Sequence, residues 1–136
     1  MNKSTKMTGN KVLLDTNIII ALPKGELTIA VHIDSADDIY IPVIVIGELY
    51  FGAFCSTQIE KGILEIQGII SDYKLLQVDE GTTPTYGKIK AELRKKGKPI
   101  PENNIWIAAI ANQHNLTVVT RDKHFNEIDG LEVTHW

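Results

Sequence analysis

The run Leu116–Thr120 (LTVVT) constrains the fold of this chain more than any other segment. It is rich in β-branched residues and apolar on both faces, as expected of a central strand in a parallel sheet that is covered on both sides. Four other short runs read as strands: Lys11–Leu14 (KVLL), Asp38–Ile41 (DIYI, closed by Pro42), Lys74–Val78 (KLLQV) and Leu131–His135 (LEVTH). Helical patterns fall between them, over Thr16–Ala21, Leu27–Ser35, Val43–Phe54, Ser56–Ile70, Thr85–Lys96 and Glu102–His114. Val43–Phe54 and Ser56–Ile70 read as an αα pair. Gly97 and Asn115 are stop signals that tolerate a left-handed cap. Strands separated by helices predict an α/β fold, a three-layer sandwich around a central, mainly parallel sheet of about five strands.

Composition narrows the function. A chain of 136 residues fits one domain. Residues 1–10 are expected to be a flexible lead-in, and residues 11–136 the domain itself. The formal net charge is -3, so bulk attraction to nucleic acid is excluded, while a nucleic-acid enzyme with locally placed cations is not. Cys55 is the single cysteine; it rules out an intrachain disulfide and a cysteine-based zinc site and reads as a small buried hydrophobe. MNKSTKMTGN has no apolar core of a signal peptide, and Val12–Leu22 is interrupted by Asp15 and Asn17 and too short to span a bilayer. The expectation is a cytoplasmic protein with no membrane segment.

In parallel sheets the ligand crevice lies beyond the carboxyl ends of the strands. Asp15 directly follows KVLL, and Asp122 follows LTVVT by two residues. Both acids therefore belong at that edge, as metal ligands or as helix N-caps. Glu48 interrupts the apolar helical run VIVIGELYFGAF, with small Gly52 one turn further on. A carboxylate there is either solvent-facing or buried beside a cation or donor. In PENNIWIAAIA, Asn103 or Asn104 lies in the first helical turn, where a capping role is the plain alternative.

Taken together, LLDTN, GELYFGA and PENNIWIAAIANQHNLTVVTRDKHF resemble the PIN domain, in particular its small single-domain VapC-type toxins. The likeness runs in order from Lys11 to Trp136. It implies a ribonuclease that uses Mg²⁺ or Mn²⁺, the toxin component of a type II toxin–antitoxin system. It further implies an antitoxin protein partner and a homodimer, with both contacts placed on the Val43–Ile70 helices. By the same likeness Asp15, Glu48 and Asp122 are catalytic metal ligands, and Asn104 stands where the family carries another Asp. Thr16, Asn17, Thr120 and Arg121 match the polar residues flanking the first and last acids, and Asn17, Thr120 and Arg121 are expected to contact substrate. The reading requires Asp15, Glu48 and Asp122 to meet around one hollow.

Asn104 alters the expected chemistry. An amide keeps a ligating oxygen but lacks the negative charge and cannot act as a general base. Weakened or absent turnover follows, with a non-cleaving PIN-like module that binds RNA or protein as the alternative. Glu102 is no substitute, because two residues turn a helix by about 200°. Lys88, Lys90, Arg94, Lys95, Lys96 and Lys98 concentrate positive charge before the Asn104 helix, either to hold RNA phosphates, with Lys95 and Lys96 as the substrate contacts, or as a solvated face. Arg121 is the cation nearest in sequence to Asp122, as a site residue or as an ion pair that orients the acid. His124 reads as structural or as a minor substrate contact, and Trp106, Tyr50 and Phe51 as core or interface. A haloacid-dehalogenase-type phosphatase would want a second Asp at Asn17, and a receiver domain an acidic pair in the first loop; neither is present.

Overall fold

A computed structural model describes residues 11–136, so the lead-in expected over residues 1–10 lies outside the described residues. Five strands, β1 (Lys11–Leu14), β2 (Asp38–Pro42), β3 (Lys74–Leu76), β4 (Thr117–Val119) and β5 (Val133–Thr134), form one sheet in the order β3-β2-β1-β4-β5. Every pairing is parallel. Six helices accompany it: α1 (Thr16–Ala21), α2 (Leu27–Ser35), α3 (Val43–Phe54), α4 (Ile59–Asp72), α5 (Thr82–Lys96) and α6 (Glu102–His114). Short 3-10 turns follow α1 and β4, the latter over Lys123–Glu127.

All three residues of β4 are buried, as its two apolar faces demand. The core is continuous through Leu13, Leu14, Ile41, Ile107, Val118 and Phe125, all fully buried. Small residues in α6, Ala108, Ala109 and Ala111, are fully buried and permit close packing. Gly97 and Asn115 close α5 and α6 in the left-handed region at φ 67° and 58°.

Several boundaries shift for local reasons. α4 starts at Ile59, later than the expected Ser56, because the Ser56 hydroxyl donates to the Ala53 carbonyl and accepts from the Gln58 N–H, closing α3 instead. α5 starts three residues before the expected Thr85, at Thr82, whose hydroxyl and N–H are engaged by Asp79 and Gln113. The strands β3, β4 and β5 are shorter than their apolar runs. Cys55 is exposed, contrary to expectation, because it sits in the turn after α3 and outside the packed helix face. Phe51 is also outside the core, with 73% of its surface accessible. Among the described residues no helix is long and apolar enough to cross a membrane.

The chain leaves β1 toward β2 and β3, then returns past β1 to β4 and β5. Strand order therefore reverses between β1 and β4. In an open parallel sheet that reversal creates a crevice at the carboxyl ends of the two strands.

Candidate active site at the carboxyl edge of the sheet

Asp15 directly follows β1 and Asp122 follows β4, so the crevice is flanked by the two acids expected there. Each also caps the turn behind it. The Thr16 N–H donates to Asp15 Oδ1 at 2.8 Å, and the His124 N–H donates to Asp122 Oδ1 at 2.9 Å. The capping and site roles thus coexist: in each case the second carboxylate oxygen turns inward.

Thr120 ties the two acids together. Its fully buried hydroxyl donates to Asp15 Oδ2 at 2.7 Å and accepts from the Asp122 N–H at 2.9 Å. Asn17 reinforces the bridge, its amide nitrogen donating to Asp15 Oδ2 at 3.3 Å and its oxygen accepting from the Arg121 N–H at 3.0 Å. These two side chains orient the acids and have their polar atoms engaged within the protein.

Glu48 enters from α3. It is half-buried, and its Oε1 accepts from the Thr16 hydroxyl at 2.6 Å. Gly52, one turn on, leaves open space beside it. Asn104, only 8% exposed, points from the first turn of α6 to Asp122 and donates Nδ2–H to Oδ2 at 3.1 Å. The amide orientation follows from chemistry, since turning Oδ1 toward the carboxylate would set two acceptors against each other. Asn104 therefore does not cap α6, and exposed Asn103 makes no capping bond either.

The electrostatics separate the two aspartates. Burial pushes the Asp15 carboxyl above its usual range, and the charges of Glu48 and Asp122 add to this against the opposing bonds from Thr120 and Thr16. Burial also acts upward on Asp122, but hydrogen bonds from the His124 backbone, Asn104 and the His124 ring outweigh it and hold that carboxyl below its usual range. A raised carboxyl pKa means the folded chain binds a proton more tightly than the unfolded one. Asp15 therefore costs nothing below about pH 3.8; the cost grows as pH rises above that and is complete once pH has passed the raised folded value. In chelator, Asp15→Asn is expected to melt higher than the parent at pH 7, with the difference vanishing as pH falls toward 3.8. Calorimetry across that range checks it; an equal or lower melting temperature at pH 7 contradicts it.

The donors are hard oxygens of the kind Mg²⁺ and Mn²⁺ favour. Asp15, Glu48 and Asp122 share one neighbourhood, joined by Thr16, whose N–H meets Asp15 and whose hydroxyl meets Glu48, and by Thr120, which bridges Asp15 and the Asp122 backbone. Yet among the described residues no three Asp, Glu, His or Cys side chains converge to grip one ion as they stand. The carboxylates fit an ion held by one or two of them, with water and phosphate filling the rest, as is usual for Mg²⁺, whereas Asn104 as it stands turns its amide N–H, not its oxygen, to Asp122.

Other expected site residues go elsewhere. The Arg121 guanidinium does not pair with Asp122; it meets Glu26 at 2.7 Å and donates to the Trp136 carbonyl. The Trp136 ring stacks on His32 at 5.0 Å, and the His135 ring contacts the Thr120 carbonyl. Lys96 is bound to Asp129 and the Glu127 carbonyl, whereas Lys95 is exposed on the α5 side. Glu102 points to Tyr86 and Lys90, away from the acids. Trp106 stacks on Tyr86 with ring centroids 3.7 Å apart. Thr16, matched to the polar residues after the first acid, holds Glu48, and His124 takes the structural place expected of it, its Nδ1 2.7 Å from Asp122 Oδ1.

Fold and site together define a PIN-type α/β domain. The PIN domain family model matches residues 12–131, and the chain belongs to the PIN domain family. Ribonuclease VapC2 of Haemophilus influenzae is 34% identical over 129 residues, covering 93% of this chain and 98% of the relative. Among solved structures, VapBC2 from Rickettsia felis bound to a promoter DNA fragment is similar with a TM-score of 0.86 and 28% identity, covering 92% of this chain and 98% of that one. VapBC-5 from Mycobacterium tuberculosis, a member of the VapBC family of toxin–antitoxin systems, has a TM-score of 0.73 and 27% identity, covering 91% and 95%.

Proposed function

We propose that residues 11–136 form one domain that acts as a metal-dependent endoribonuclease, the toxin of a type II toxin–antitoxin pair, with its turnover lowered by Asn104. The observation that carries this is the meeting of Asp15, Glu48, Asn104 and Asp122 at the crevice between β1 and β4. The relatives named ribonuclease and the toxin–antitoxin structures support it. The ion is Mg²⁺ or Mn²⁺, and the compartment is the cytoplasm.

When bound, such an ion supplies an activated water and relieves charge on the scissile phosphate. The carboxylate oxygens of Asp15, Asp122 and Glu48 and the amide oxygen of Asn104 would hold it. Thr120, Asn17 and Thr16 fix the rotamers of those carboxylates. Asn104 cannot accept a proton, so base duty falls to the carboxylates alone. The apolar surface of α3 and α4, where Phe51, Phe54 and Leu64 are exposed, is where an antitoxin and a second copy would sit.

The test is incubation with single-stranded RNA in Mg²⁺ or Mn²⁺ against chelator. Slow cleavage is expected only with metal, and Asp15→Asn is expected to reduce it by about a hundredfold or more, the upper end of what losing an outer-shell partner costs a metal site. Cleavage that survives both chelator and Asp15→Asn sinks the proposal. The non-cleaving module is favoured by one observation, the hydrogen bond that commits Asn104 to Asp122; RNA binding without metal-dependent cleavage would select it.

A further inference from the structure

A groove of about 970 Å³ runs along α5 and the segment joining it to α6. Leu93, Ile100 and Ile105 contribute apolar lining, and Arg94, Lys95 and Lys98 contribute charge. Among the described residues these three cations form no ion pair and no side-chain hydrogen bond, whereas neighbouring Lys90 is spent on Glu102 and Lys96 on Asp129. We infer that this groove binds the phosphates of single-stranded RNA and leads the strand to the acidic crevice, an inference that rests on the ribonuclease reading above.

Three considerations carry it. Cations gathered without partners repel one another, and a polyanion is the ligand that relieves this. The α5 carbonyl terminus accounts for cations in its last turn, Arg94 and Lys95, but Lys98 lies beyond Gly97 and outside that helix. The crevice cannot recruit RNA by itself, because Asp15, Glu48 and Asp122 repel phosphate and the whole chain carries a charge of -3. Attraction has to come from a local patch beside the crevice. The groove meets that need by position: Glu102 and Ile105 line it, and Asn104, between them in sequence, faces Asp122. One helical turn thus borders both.

The experiment is fluorescence anisotropy of a labelled single-stranded RNA with the full chain in chelator, over a series of salt concentrations. The triple variant Arg94→Gln, Lys95→Gln, Lys98→Gln is compared with the parent and with Lys61→Gln, Lys74→Gln, which removes charge elsewhere. The parent's plot of log affinity against log salt is expected to be steeper than the triple variant's by about 2, at roughly 0.7 per phosphate on a single strand. The double variant should lose less slope than the triple. Lys98→Gln alone, outside any helix, should lose about 0.7, which keeps the test open if the triple variant misfolds. An unchanged slope, or a loss in the double variant that is equal per charge removed (about 1.4 for its two lysines), overturns the groove. Groove-dependent binding of an acidic peptide in place of RNA also overturns it. Cleavage by the Asn104→Asp protein that is indifferent to the three substitutions would overturn the groove while leaving the ribonuclease reading intact.

Discussion

Asn104→Asp is expected to raise Mn²⁺-dependent RNA cleavage by about tenfold to a hundredfold, the range over which a single partner of a metal site changes affinity or activity. The substitution replaces a donor with a second acceptor facing Asp122 Oδ2, so the 3.1 Å hydrogen bond becomes a like-charge contact. In chelator the variant should therefore melt below the parent, with the Asp122 carboxyl losing one of the bonds that hold it acidic. Saturating Mn²⁺ should restore the loss, since a ligand at a hundred times its Kd adds about 2.7 kcal/mol. The parent should respond less to the ion. Equal cleavage by both proteins, with equal thermal response to Mn²⁺, would show that charge at position 104 plays no part in ion binding.

Phe125→Ala is expected to cost about 3–5 kcal/mol of folding stability. Phe125 is fully buried and heads the largest such side chains of the core, and it lies in the 3-10 turn that Asp122 caps. Removing the ring leaves a cavity beneath the loop that presents the acid. Urea denaturation measures the loss. A cost below about 1 kcal/mol would mean that the loop collapses onto the space and that the ring does not anchor it.

The frame of the molecule was legible because it depends on local pattern. The two-faced run LTVVT is the buried strand it suggested, and Gly97 and Asn115 are left-handed caps. The acids were legible because strand ends in a parallel sheet share an edge. What escaped the reading depends on partners distant in sequence. Arg121 sits beside Asp122 in the chain, yet its guanidinium reaches Glu26, and no periodicity reports that choice. Lys96 looked like its neighbour Lys95 until Asp129 claimed it. The Thr120 hydroxyl serves two acids at once, which spacing alone cannot reveal. Ser56 and Cys55 were misjudged because a hydroxyl cap ended α3 in a tract whose apolar content suggested uninterrupted packing.

The residues around Asp122 are fastened from three directions: to β1 through Thr120, to the start of α2 through Arg121 and Glu26, and to His135 and Trp136 through the Thr120 and Trp136 carbonyls. These contacts hold the loop in one arrangement. The reacting groups are set before any strand arrives, and the entropy of arranging them is met at folding instead of at each encounter. On the proposed ribonuclease reading, discrimination between RNAs would then fall to the shape the incoming strand can adopt, so folded RNAs that already splay a nucleotide outward should be favoured over regular duplex.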